Sequence, residues 1–151
     1  MMKRVLILLL SLSMFPDDAF SQEKKEKPIS LDWGTLSHVR WVKDEKKQVY
    51  RIKYGEQIKP YHGKIVDITG FMVSLDMDDK PSYFMLSANP ASACFFCGGA
   101  GPESVIEVMA EKPIDYSWSP VTLRGRLRLE VKEEEFPVGM FYFLSNAKLI
   151  Q

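Results

Sequence analysis

The sequence predicts an all-β fold: a small, five-stranded OB-like barrel with an N-terminal hairpin and lid. Three observations carry this expectation. Apolar residues recur mostly with a period of two, and no long stretch shows the helical period near 3.6. One strand-like run, Lys64 to Leu75, is unusually long and interrupted by Gly70, as a strand bent around a small barrel would be. The chain is also rich enough in core material, at 46% hydrophobic and 12% aromatic residues, to bury one real core.

The first residues read as an export leader. Lys3 and Arg4 precede an apolar run from Val5 to Phe15, broken only by Ser11 and Ser13. Pro16-Asp17-Asp18 follows, then Ala19-Phe20-Ser21, with small residues where signal peptidase requires them. Residues 1–21 are therefore expected to be a cleavable signal peptide, cut between Ser21 and Gln22, which sends the protein to the periplasm or outside the cell. A membrane anchor would need about 20 apolar residues, and this run has roughly half of that. No later segment is apolar enough to span, and no cysteine near the cut could carry a lipid. No stable membrane anchor is expected after cleavage.

Gln22 to Pro28 is charged and lacks aromatics, so residues 22–28 read as a flexible linker. Residues 29–151 then form a single domain. Lys plus Arg and Asp plus Glu each total 20, and the leader holds two of each sign, so the formal charge is zero with or without it. That balance argues against an electrostatic grip on nucleic acid or anionic lipid, which draws on clustered Lys and Arg.

Within the domain, Trp33 and Leu36 are spaced for one side of a short helical turn, with Asp32 as its cap, forming a lid on the core. Val39–Lys43 and Val49–Tyr54 alternate as two strands of a flanking hairpin. From about Tyr61 onward a five-strand meander is expected. It begins with Lys64–Leu75, where Gly70 marks a bulge or bend, and returns through Ser82–Ser87 after the polar turn Asp76 to Pro81. Ser104–Met109, Val121–Val131 and Gly139–Leu144 complete it. Leu123, Leu127, Leu129 and Val131 share one parity and arginines the other, so one face is buried and one is wet.

The run Gly63 to Leu75 resembles the opening strand of the bacterial domain-of-unknown-function family 3299 (DUF3299). Cys94-Phe95-Phe96-Cys97-Gly98-Gly99 through Val108 is similar to that family's central loop and next strand. Val121–Gly125 and Tyr142–Ala147 fit its last two strands, so the resemblance extends over most of Trp33 to Leu149. It implies an exported bacterial protein with an OB-like barrel. The family has no established activity, so the resemblance implies no catalytic residues.

The chemistry of the chain is concentrated at Cys94 and Cys97. A Cys-x-x-Cys spacing in a tight turn lets both sulfurs share a metal or bond to each other, and Gly98 permits a left-handed turn that aims backbone N–H groups at them. Three readings stay open. The pair could hold a metal, zinc or copper, with His62 as a further ligand and His38 or Glu103 as others. It could be a structural Cys94–Cys97 disulfide in an adaptor for envelope proteins. It could be a thiol–disulfide oxidoreductase, although Gly98, Gly99, Gly101 and Pro102 cannot continue the helix that usually activates such a pair. A c-type haem is excluded because Gly98 stands where histidine is required.

Asp76, Asp78 and Asp79 lack the spacing of a calcium loop and read as a solvated turn. Glu133-Glu134-Glu135 reads likewise. Phe95 and Phe96 are loop anchors or an apolar docking patch. No nucleophile triad, metalloprotease motif or phosphate loop appears. The expectation is a non-enzymatic exported binding protein, with a metal ion or envelope proteins as partners and no nucleic acid.

Overall fold

The computed structural model describes residues 26–46, 49–93, 98–129 and 140–151. The leader, Cys94 to Cys97 and Glu133 to Glu135 lie outside the described residues. So does the linker up to Lys25.

The elements in chain order are strand β1 (Ile29–Ser30), the one-turn helix α1 (Trp33–Leu36), and strands β2 (Val39–Asp44) and β3 (Val49–Tyr54). Strands β4 (Ile65–Val73), β5 (Tyr83–Ser87), β6 (Val105–Ala110), β7 (Val121–Leu129) and β8 (Tyr142–Leu149) follow. Short 3₁₀ turns at Lys59–Tyr61, Ala91–Ala93 and Pro102–Ser104 join some of them.

Strands β4 to β8 close into a five-stranded mixed barrel, ordered β4-β5-β6-β8-β7 with β7 returning to β4. The OB-like barrel expected from the sequence is therefore present, but not as a meander. Strand β8 lies between β6 and β7 and runs parallel to β6, with Glu107 opposite Phe143 and Val108 opposite Leu144. Alternation decides which face of a strand is buried, not which strand becomes its neighbour. Neighbour order here depends on the segment 111–120, which crosses one barrel end. It is held there by bonds from Ile114 N to Pro81 O (3.1 Å) and from Tyr116 N to Asp79 O (2.8 Å).

The barrel interior is filled by alternate residues of each strand. Val66, Ile68 and Met72 point inward from β4, and Val121, Leu123, Leu127 and Leu129 from β7. Phe84, Leu86, Ile106, Val108, Tyr142 and Leu144 complete the same cluster. Burying each of these large apolar side chains contributes about 1.5–3 kcal/mol.

The bend expected at Gly70 is a change of partner. Strand β4 pairs with β7 over Ile65–Gly70 and with β5 over Phe71–Val73. The register shifts lie elsewhere, between Val108 and Ala110 on β6 and between Arg124 and Arg126 on β7. Where β5 does not reach β4, β1 pairs with it in parallel, Ile29 against Val66 and Ser30 against Asp67. Trp33 extends the seal, its indole N–H donating to Thr69 O at 2.8 Å.

Helix α1 is the lid the sequence anticipates. Asp32 caps it, accepting from Thr35 N at 2.7 Å and from Thr35 Oγ1 at 2.9 Å. Leu36 is fully buried in the barrel core, while Trp33 packs against it partly exposed. The Tyr142 hydroxyl donates to Leu36 O, and Tyr54 at the end of β3 donates to Phe141 O at 2.6 Å. Strands β2 and β3 form their own antiparallel ribbon, in register from Val39–Tyr54 to Asp44–Val49.

On the outer face of the β4–β7 pair, Arg124 and Asp67 stand opposite each other. The guanidinium donates from Nε to Oδ1 (2.7 Å) and from Nη2 to Oδ2 (2.8 Å), which holds the Asp67 carboxyl below its ordinary 3.8. A carboxyl lowered on folding stabilises the native state in full above its unfolded pKa, and that contribution disappears as pH falls through the lowered folded value. Wild type is therefore expected to exceed Asp67→Asn in thermal stability near neutral pH, with the gap closing below pH 3.8. A gap that stays constant across that acid limb would show that the Asp67 charge does not contribute.

Candidate functional site

The segment that carries the cysteines leaves the barrel between β5 and β6. Its stem is a continuation of that hairpin, with Ala88 N donating to Ser104 O at 2.9 Å and Asn89 N to Ser87 Oγ at 3.1 Å. The two sides of residues 94–98 meet again at Ala93 and Gly99. A Cβ on Gly99 would lie only 2.7 Å from Ala93 O, so no other residue fits that approach. Gly98 has φ of +74°, the left-handed conformation anticipated for the glycine after the second cysteine. Cys94 and Cys97 themselves lie outside the described residues.

The strand directions place His62 at the barrel end where β5 finishes and β6 begins, because β4 and β6 start at the same end. There His62 Nδ1 accepts the backbone N–H of Leu129 at 3.0 Å. A neutral ring that accepts at Nδ1 carries its proton on Nε2, whereas a ligating histidine donates from one nitrogen to leave the other free for metal. His62 as described is thus a hydrogen-bonding residue that seals the end of β7, and metal binding at Nε2 would require that bond to break. His38 has the opposite arrangement. Its Nδ1 faces two carbonyls, Gly34 O at 3.0 Å and Thr35 O at 3.3 Å, and must donate. Glu103, in the turn that contacts α1, lies back over Gly101. Its charge adds to burial and to Tyr54 in pushing the Tyr142 hydroxyl pKa upward. Among the described residues, no three His, Cys, Asp or Glu side chains gather as a metal site.

Beside the cysteine stem is an aromatic cleft that periodicity did not reveal. Its volume is about 350 Å³, and Phe71, Pro90, Ser92, Tyr116 and Trp118 line it. Trp118 is 83% exposed and stands edge-on to Tyr116, ring centres 5.1 Å apart. Tyr116 is fixed from behind, its hydroxyl donating to Met72 O at 3.2 Å. The available signal was Tyr116-Ser117-Trp118-Ser119-Pro120, aromatics placed outside any strand pattern.

Glu107 is the other residue missed. Its parity on β6 is outward, yet it is 1% exposed and accepts the Tyr83 hydroxyl. That face of β5 and β6 carries a second apolar cluster, Met85, Val105 and Met140, with Val73 against it. Burial, followed by the bond to Glu107, raises the Tyr83 pKa, so the phenol keeps its proton and remains the donor.

No described helix is long and apolar enough to cross a membrane. No protein-family model matches the sequence, and no curated protein matches it. Among solved structures, the chain is similar to a DUF3299 family protein from Pseudomonas aeruginosa PAO1, at 12% identity and a TM-score of 0.54, over 83% of this chain and 97% of that one. The likeness read from the sequence is thus found again in three dimensions: this chain has the fold of a DUF3299 family protein.

Proposed function

We propose that this is an exported, non-enzymatic binding protein whose barrel serves as a rigid mount for the Cys94–Cys97 pair, and that the pair holds a soft metal ion, copper(I) or zinc. The observation that carries this reading is the geometry flanking the pair. Ala93 and Gly99 are in backbone contact, Gly98 is left-handed, and the stem is bonded into the β5–β6 hairpin. Fixed flanking residues reduce the ordering cost of bringing two thiolates to one ion. Thiolates select copper(I) and zinc over harder cations.

The test is metal competition with the reduced mature protein against chromophoric chelators. Cys94→Ser/Cys97→Ser is expected to weaken binding by about a hundredfold or more. Equal binding by wild type and the double variant would sink the proposal.

Exposed Trp118, set on half-buried Tyr116 beside the stem, supports a second reading, an adaptor whose aromatic cleft docks an envelope protein while Cys94 and Cys97 form a disulfide staple. Aromatic anchors of this kind are enriched where proteins bind one another. Protein purified without chelator from an exporting host separates the readings. A denatured mass lighter by the two hydrogens a disulfide removes, without metal in the native mass, selects the adaptor.

A further inference from the structure

The base of the β2–β3 ribbon holds an arrangement that the barrel does not require. Arg40 and Lys53 face each other directly across the antiparallel register, and both are exposed. Like charges in directly opposed positions destabilise a strand pair. Among the described residues neither has a carboxylate partner, although Lys43 is paired with Glu45 at 3.4 Å on the same ribbon. An open cleft of about 360 Å³ lies against the two cations, lined also by Ser37, His38, Glu56 and Gln57. Its one acidic side chain is already engaged, Glu56 Oε1 accepting from Lys59 Nζ at 2.5 Å. The His38 ring is oriented by its Nδ1 bonds to Gly34 O and Thr35 O, which leaves Nε2 as its open position.

We propose that this cleft is a binding site for a phosphate group, either free or as a monoester. Phosphate carries about −1.5 to −2 at neutral pH with several acceptor oxygens, which matches two opposed cations. The Arg40 fork would take two of its oxygens and the Lys53 ammonium would act as a point charge beside them. A bound dianion also turns the opposed like charges from a repulsive pair into a bridged one. The balanced charge of the whole chain is compatible with this, because the site is local. The same chemistry would recognise a soluble phosphate monoester or a phosphate headgroup at a lipid surface.

The experiment uses isotopically labelled mature protein. It is titrated with inorganic phosphate and with glycerol 3-phosphate, at ionic strength held constant with chloride. Saturable amide shifts are expected at Ser37 to Arg40 and Lys53 to Gln57. Arg40→Gln and Lys53→Gln should each weaken binding by about ten- to a hundredfold, the value of a charge-assisted hydrogen bond, whereas Lys43→Gln should not. Arg40→Gln should melt no lower than wild type without ligand, since it removes a like-charge pair, so its lost affinity is not a folding defect. Flotation with phosphatidylcholine vesicles, with and without phosphatidic acid, identifies the source. Arg40-dependent flotation assigns a lipid headgroup, and saturable shifts without flotation assign a soluble ligand. Phosphate shifts no larger than those from chloride would overturn the site, as would equal weakening by Lys43→Gln.

Discussion

Replacing Gly70 by valine is expected to destabilise the protein by about 3 kcal/mol, at the upper end of what overpacking a filled site costs. Gly70 is where β4 leaves β7 and joins β5. A Cβ there would stand 2.7 Å from Ser87 O, 2.9 Å from Leu86 Cγ and 3.1 Å from Trp33 Cζ2. The first of these is backbone in a paired strand, so it cannot swing aside as a flexible side chain would. Relief requires β4 and β5 to separate at Phe71–Ser87, or the lid to retreat with Trp33, and either loses packing that spans the molecule. Gly70→Ala introduces the same first atom and should retain much of the effect. Urea unfolding of the mature protein measures both. Losses below about 0.5 kcal/mol, the scale of an ordinary surface substitution, would mean that the strand exchange does not depend on glycine.

Truncating Leu36 to alanine should lower stability by about 3 kcal/mol, within the range for deleting a fully buried leucine. Leu36 is 0% exposed although it belongs to a helix of only four residues. An isolated turn of that length has no stability of its own, so its position is set by this side chain, by the Trp33 indole bonded to Thr69 O, and by the Tyr142 hydroxyl bonded to the Leu36 carbonyl. The variant retains that hydrogen bond and the Asp32 cap, so the loss reports packing alone. Amides of α1 should also exchange faster than those of β7, because the lid would open before the barrel does. A loss under about 1 kcal/mol, with unchanged exchange in α1, would show that the lid rests on the barrel without anchoring it.

Part of the fold was legible because β4 and β7 alternate buried with more exposed residues. Strand β7 alternates buried and half-buried residues along its whole length, and both strands of the N-terminal ribbon occur where alternation places them. The cap at Asp32 was legible because a side-chain carboxylate and the backbone N–H it accepts are three residues apart. Strand β8 was underestimated. It continues to Leu149 through Asn146, at φ +51°, a local irregularity that interrupts the pattern. The burial of Glu107 was not legible. Its parity is outward, but the cluster of Met85, Val105 and Met140 buries that face of the sheet too.

The candidate site divides in the same way. The turn chemistry of Gly98 follows from residue type, since only glycine adopts that φ at no steric cost. Trp118 beside the cysteine stem could not be inferred, because residues 90 and 118 meet only after the crossover segment 111–120 has passed over the barrel end. The hydrogen-bonding state of His62 likewise depends on Leu129, 67 positions away.

By itself, the sequence determined the β-rich class, the capped lid and the buried face of the strand from Val121 to Leu129. All of these are local, set by the steric limits and polarity of neighbouring residues. Tertiary structure decided the strand order, the parallel pairing of β6 with β8, the second buried face around Glu107, and which polar groups meet: Asp67 with Arg124 and His62 with Leu129. Those depend on which distant strands become neighbours, and that is fixed by closing the barrel around one filled core, a constraint that no short stretch of sequence carries.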